Sequence, residues 1–230
     1  MVGAQEVIGR PIELVIFDCD GVLIDSEVIA TRATVEVLAE IGYEISEADA
    51  LQDFVGKSYA TIMGQIEADW GRALPASFNA DLERMALGIM KEELQPIPGI
   101  ARVLKQLRLS RCVASNSSLE WIRLGLERTG LFDDLTPHLF SASMVENGKP
   151  APDIFLHAAR QMGVLPERVV VVEDSLAGVQ AGAAAGMAVI GFTGGSHIVG
   201  TDHGGELRAA GAGHIIDDMA MLPALLAPLT

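Results

Sequence analysis

Cysteine, aromatic residues and positive charge are all scarce in this chain. Its 230 residues include two cysteines, Cys19 and Cys112. Both sit in or beside apolar runs and neither belongs to a metal-type pair, so a reduced, cytoplasmic protein is the simplest expectation. Aromatics make up 5 %, so alanine, leucine, valine, isoleucine and glycine must fill the core, which suits close packing of helices on a sheet. Basic residues number 16 against 31 acidic ones, a formal net charge of −15. A surface this acidic repels nucleic acid and anionic lipid, and neither is an expected partner. It would also repel a phosphorylated ligand at long range. A phosphate-handling site would therefore need positive charge gathered locally, from a metal, a lysine and helix N-termini. No apolar run approaches the ~18 residues of a membrane span. The opening Met1-Val2-Gly3-Ala4-Gln5-Glu6 lacks the basic and apolar regions of a signal peptide. Histidines 138, 157, 197, 203 and 214 form no helix-spaced pair, so zinc is not expected.

What the chain does have is short apolar runs. Leu14-Val15-Ile16-Phe17 ends at Asp18, and Val169-Val170-Val171-Val172 ends at Glu173-Asp174. Cys112-Val113-Ala114 ends at Ser115, Ala188-Val189-Ile190-Gly191-Phe192 is a fourth run, and His214-Ile215-Ile216-Asp217 a weaker fifth. Such runs read as parallel strands buried on both faces. Helical patterns over 99–108, 118–129, 152–163 and 175–185 lie between them. The alternation predicts an α/β fold, a Rossmann-like parallel sheet with helices on both sides. Glu27 to Gln95 breaks it with amphipathic stretches at 27–41, 59–70 and 78–94. The expected organisation is a sheet domain of residues 1–26 and 96–230, with a helical domain of residues 27–95 inserted. Gly178, Gly182 and Gly186, spaced by four, suit a helix lying close on the sheet and ending at Gly186.

Ligands of such sheets sit beyond the carboxyl ends of the strands, where Asp18, Ser115 and Asp174 all fall. Asp18-Cys19-Asp20-Gly21 offers a nucleophile and, two residues on, a carboxyl group able to protonate a leaving alkoxide and then deprotonate water. Gly21 would permit the turn and a close approach of substrate. Glu173-Asp174, near Asp18, would need a cation, and magnesium suits a few hard oxygen ligands; the alternative is that Asp174 or Ser175 caps the next helix. Ser115-Asn116-Ser117 offers a hydroxyl and free backbone N–H groups for a phosphate, or a plain helix cap. Lys149, stiffened by Pro150 and Pro152, could supply the local positive charge.

Together these pieces resemble the haloacid dehalogenase superfamily, in its phosphatase branch with a helical cap. The matching stretches are F-D-C-D-G-V-L-I-D-S-E at 17–27, V-A-S-N-S at 113–117, G-K-P-A-P-D-I-F at 148–155 and V-V-E-D-S-L-A-G-V-Q-A-G at 171–182. The resemblance implies Asp18 as nucleophile, Asp20 as general acid and base, and Ser115 and Lys149 on the phosphate with Gly21 and Asn116. It also implies magnesium held by Asp18, the Asp20 carbonyl and Asp174, with Glu173 adjacent, and a candidate cis bond at Lys149–Pro150. Asp20 argues against carbon–halogen cleavage, which needs no leaving-group proton.

A β-phosphoglucomutase-type mutase is the rival activity. Such mutases carry a histidine where this chain has Ala30 and an arginine where it has Tyr59, so hydrolysis by water is favoured. A rival of another class is a non-catalytic binding protein on the same fold. Ser26, Arg32 and Lys57 are the candidates to face a substrate, expected to be a sugar phosphate or similar small phosphorylated metabolite. Cys19 lacks the C-x5-R context of a cysteine phosphatase and is read as a packed spacer. Gly194-Gly195-Ser196-His197 is expected to be a surface loop, and the protein a monomer.

Overall fold

A computed structural model describes residues 11–54, 59–198 and 202–226. Its centre is a six-stranded, all-parallel sheet in the order β3-β2-β1-β4-β5-β6. The strands are β1 (Leu14–Phe17), β2 (Ser110–Ser115), β3 (Leu139–Ser141), β4 (Val169–Glu173), β5 (Ala188–Phe192) and β6 (His214–Ile216). Strand residues alternate between two apolar layers. Val15, Phe17, Val113, Val170 and Val172 pack in one, and Leu14, Ile16, Cys112, Ala114, Val169 and Val171 in the other. Helices α5 (Ile100–Gln106), α6 (Leu119–Thr129), α7 (Phe132–Leu135) and α11 (Leu222–Leu226) cover the first face, and α8 (Asp153–Gln161), α9 (Leu176–Ala184) and α10 (His203–Ala210) the second. Covering both faces explains why β1 and β4 read as unbroken apolar runs.

Helices α1 (Glu27–Glu40), α2 (Glu47–Phe54), α3 (Tyr59–Trp70) and α4 (Phe78–Glu93) form an insert between β1 and α5. Val37, Leu38, Ile66 and Phe78 make a small core of its own. The chain enters and leaves this insert through two adjacent backbones. Asp25 N–H donates to Gln95 O at 3.0 Å, Ile97 N–H donates to Leu23 O at 3.0 Å, and Ile24 pairs antiparallel with Pro96. At the base of the insert Arg32 pairs with Glu93 at 2.7 Å and with Glu36 at 3.2 Å. Among the described residues no helix is long and apolar enough to cross a membrane.

The predicted strands 14–17 and 188–192 match the observed bounds, and the helical patterns fall on α1, α3, α4, α5, α6, α8 and α9. A Cβ on Gly182 would meet Val189 at 2.8 Å, so this glycine does bring α9 down onto the sheet, and Gly186 (φ +73°) follows its end. The sequence reading missed β3, α2, α7, α10 and α11.

Candidate active site

The sheet register lines up the chemistry. Phe17 is level with Val113 on one side and Val172 on the other. Asp18 N–H continues the ladder by donating to Val172 O at 3.0 Å. Asp18 therefore stands at the end of the central strand, where neighbours β2 and β4 lead off in opposite directions and open a crevice. Ser115 ends β2, and Glu173 ends β4 with Asp174 next.

Lys149 reaches this crevice from the loop before α8. Its Nζ donates to Asp18 Oδ1 at 2.6 Å, across 131 residues of sequence, and to Glu173 Oε1 at 2.6 Å. Its backbone is gripped by Asn116, whose Oδ1 accepts from Lys149 N–H at 2.9 Å and whose Nδ2 donates to Lys149 O at 3.2 Å. The Lys149–Pro150 peptide is cis. Burial works against the Lys149 charge, but Asp18 and Glu173 together outweigh it and hold the ammonium above its ordinary value. Lys149 is a permanent cation there.

One lysine does not balance three buried carboxyls. Oxygens of Asp18, Glu173 and Asp174 all lie within 4.8 Å of one another. Burial and then Glu173 push Asp18 up to about 8, with Lys149 pulling the other way. Burial, Glu173 and Asp18 likewise raise Asp174. The donor set is hard, anionic and deficient in positive charge, which fits a divalent cation. Glu173 is the most committed member: Oε1 takes Lys149, and Oε2 accepts from Ser175 N–H and Oγ–H at 3.0 Å each. Gly21 (φ +70°) lies so close under Asp174 that a Cβ there would sit 1.7 Å from its Oδ2. Only glycine fits this turn.

Asp20 points elsewhere. Its Oδ1 accepts from Ser26 Oγ at 2.6 Å and Trp121 Nε1 at 2.8 Å. Its Oδ2 accepts from Ser117 Oγ at 2.6 Å and Ser115 Oγ at 3.3 Å. Ser26 is thus a buried partner of Asp20 rather than a substrate-facing hydroxyl. Ser118, not Ser115 to Ser117, caps α6, accepting from Trp121 N–H at 3.2 Å. Ser175 caps α9, accepting from Gly178 N–H at 3.0 Å. Cys19 is fully buried, and burial with Asp20 and Asp18 pushes its thiol well up, so it packs as a spacer.

A cavity of about 700 Å³ opens beside the crevice, lined by Lys149 and Asp174 at one end. Glu27, Ala30, Thr31 and Thr34 line it from α1. Leu51, Phe54, Tyr59, Ile62 and Met63 line it from α2 and α3. Arg32 falls off this stripe and is tied to Glu93 and Glu36 instead. Lys57 lies outside the described residues.

Two histidines were missed as site residues. His197 lines the cavity with Nε2 3.4 Å from Asp174 Oδ2, and burial pushes it down to about 4. His203 donates from Nε2 to Asp174 O at 2.5 Å. The loop carrying His197 is no plain surface loop; Ser196 N–H also donates to Asp25 Oδ1 at 3.3 Å. No local pattern announces either contact.

Comparison with known proteins places this geometry. A haloacid dehalogenase-like hydrolase profile matches residues 12–186. The 6-phosphogluconate phosphatase of Escherichia coli is 32% identical over 187 residues, covering 81% of this chain and 85% of that one. The crystal structure of a haloacid dehalogenase-like protein of unknown function from Agrobacterium tumefaciens is 41% identical, with a TM-score of 0.86 and coverage of 95% and 99%. That of a haloacid dehalogenase family hydrolase from Deinococcus radiodurans, with bound phosphate and sodium, is 33% identical, with a TM-score of 0.79 and coverage of 96% and 97%. The sheet with its helical insert is common to these structures, and the chain belongs to the haloacid dehalogenase-like hydrolases.

Proposed function

We propose that the chain is a magnesium-dependent phosphatase of small phosphomonoesters, with Asp18 as its nucleophile. The observation that carries this reading is the convergence of Asp18, Lys149, Glu173 and Asp174 on one crevice from three separate parts of the chain. Asp18 attacks phosphorus in line and is phosphorylated, forming an aspartyl phosphate as the bond to the departing alkoxide breaks. Asp20 protonates the leaving oxygen, then takes a proton from the water that cleaves the aspartyl phosphate. Lys149, held by Asn116, offsets the phosphoryl charge, while Ser115 and the backbone at Gly21 orient it. Asp18, the Asp20 carbonyl and Asp174 would hold magnesium, with Glu173 behind them. When bound, the ion supplies charge stabilisation to the transferring phosphoryl group and relieves the repulsion among the carboxylates. The insert of residues 27–95 acts as a cap that closes over the crevice and excludes water.

A mutase is disfavoured by the cavity lining. Ala30 offers no proton-transfer group, and Tyr59, whose hydroxyl donates to Asn79, offers no cation for a second phosphate.

The test is hydrolysis of p-nitrophenyl phosphate with magnesium, with EDTA, and by Asp18→Asn. Turnover is expected only in the first case, falling by at least about 10³-fold in the others. Magnesium-independent turnover, or an active Asp18→Asn, would overturn the proposal.

A further inference from the structure

We infer that His203, at the start of α10, is a positioning residue: by gripping the main-chain carbonyl of Asp174 it holds that carboxylate in place for the divalent cation. This rests on the cation site of the phosphatase reading and goes further. His203 lies beyond residue 186, where the match to the family profile ends, and outside the four stretches that carry the family resemblance.

Asp174 stands between β4 and α9, and its carbonyl belongs to neither ladder. Strand β4 pairs with β5 as far as Glu173, level with Gly191, and the first bond of α9 runs from Val179 N–H to Ser175 O at 3.0 Å. A buried carbonyl left between two elements needs a donor. His203 Nε2 supplies it at 2.5 Å. A carbonyl oxygen only accepts, so Nε2 carries the hydrogen whatever the state of the rest of the ring. The donor is itself fixed. His203 is 2% exposed, and Leu207, one turn on along the same face of α10, is fully buried. Asp202 caps the helix just before it, accepting from Gly205 N–H at 3.1 Å.

A satisfied core histidine is the commoner role for such a residue. What sets His203 apart is how little else holds its partner. Glu173 is tied through both oxygens, to Lys149 and to Ser175. Among the described residues no hydrogen bond reaches the Asp174 carboxylate; the nearest polar group is His197 Nε2, 3.4 Å from Oδ2. Yet its oxygens lie within 4.8 Å of those of Asp18 and Glu173, where like charges push it outward. The backbone must therefore resist that push. Two walls help: Gly21 lies directly under Oδ2, and the His197 ring is seated on Gly195, where a Cβ would meet its Cε1 at 2.6 Å. The main-chain anchor is His203. Partners that orient a metal-binding carboxylate in this way are worth about 10–100-fold in metal affinity.

The test is direct binding of Mn2+, an oxygen-preferring ion like magnesium, to the metal-free full-length protein, read from the loss of the free-ion EPR signal. His203→Phe keeps a ring and removes the donor, and His203→Leu removes both. Each is expected to raise Kd by about 10–100-fold, and either suffices if the other fails to fold. His203→Gln returns an N–H near the place of Nε2 and should recover most of the loss. A merely structural role would instead lower Tm in EDTA and leave the Kd of the folded protein as it was. An unchanged Kd in a folded His203→Phe or His203→Leu would overturn the inference, as would a loss that His203→Gln does not reduce. Asp174→Asn is the control. If it binds Mn2+ as tightly as the wild type, or the wild type binds none, the cation site is lost and the inference with it. Turnover of p-nitrophenyl phosphate is followed separately: none in the wild type, with the Kd values as expected, would remove the phosphatase reading and leave the role of His203 standing.

Discussion

Asp20 shows how a single carboxylate can be held by motif residues together with one, Trp121, that belongs to no motif. Four donors from three segments converge on it, and Trp121 is the least foreseeable. If Asp20 delivers the leaving-group proton, loosening it should hurt only substrates that need that proton. Trp121→Phe is therefore expected to lower kcat by about tenfold on a sugar phosphate while sparing p-nitrophenyl phosphate, whose phenolate leaves unaided. Comparing the two substrates checks this, and an equal loss on both would mean a general structural defect. Glu27 makes a second prediction. Its folded value of about 7 lies above the ordinary 4.5, so the folded state prefers the protonated form. That contribution is full below the ordinary value and is lost as pH rises through 7. Between about pH 5 and pH 8 the metal-free wild type should lose ~2–4 °C more in Tm than Glu27→Gln, by calorimetry. Asp18, Lys149 and Asp174 were legible in the sequence because each closes a strand or a proline-stiffened loop. Trp121 and His197 were not, since their contacts depend on how α6 and the loop after β5 lie against β1. Arg32 misled for a related reason: the cavity stripe of α1 runs through positions 27, 30, 31 and 34, and Arg32 stands one residue off it.

At the scale of elements, α9 depends on a glycine that touches chemistry rather than a turn. A Cβ on Gly178 would lie 1.8 Å from Glu173 Oε1. Glu173 cannot yield, because Lys149 and Ser175 fix both its oxygens. Gly178→Ala should cost at least about 2 kcal/mol in urea unfolding. Gly88 in α4 meets nothing within 4 Å, so Gly88→Ala should instead stabilise by ~0.5–1 kcal/mol. Strands covered on both faces announce themselves by continuous apolar runs, which is why β1, β4 and β5 could be read directly. Strand β3 could not. It has three residues and exists through pairing with β2 at the sheet edge. Helix α10 hides its start behind Gly204 and Gly205, with Asp202 capping it through Gly205 N–H at 3.1 Å.

For the molecule as a whole, the net charge of −15 opposes the approach of a phosphate dianion, while the site draws it only at short range. Salt screens the long-range repulsion more than the buried contacts. Raising ionic strength from about 20 to about 200 mM should therefore raise kcat/KM for a phosphate dianion by a few-fold, as initial rates in potassium chloride would show; a fall would mean that local attraction dominates even at a distance. The paired backbones at Leu23–Asp25 and Gln95–Ile97 have a consequence of another kind. A segment that departs and returns one hydrogen bond apart can be exchanged without rewiring the sheet. The same six strands could accept a foreign graft between those two points, and new substrates could be acquired by transplantation while the phosphoryl-transfer machinery stayed as it is.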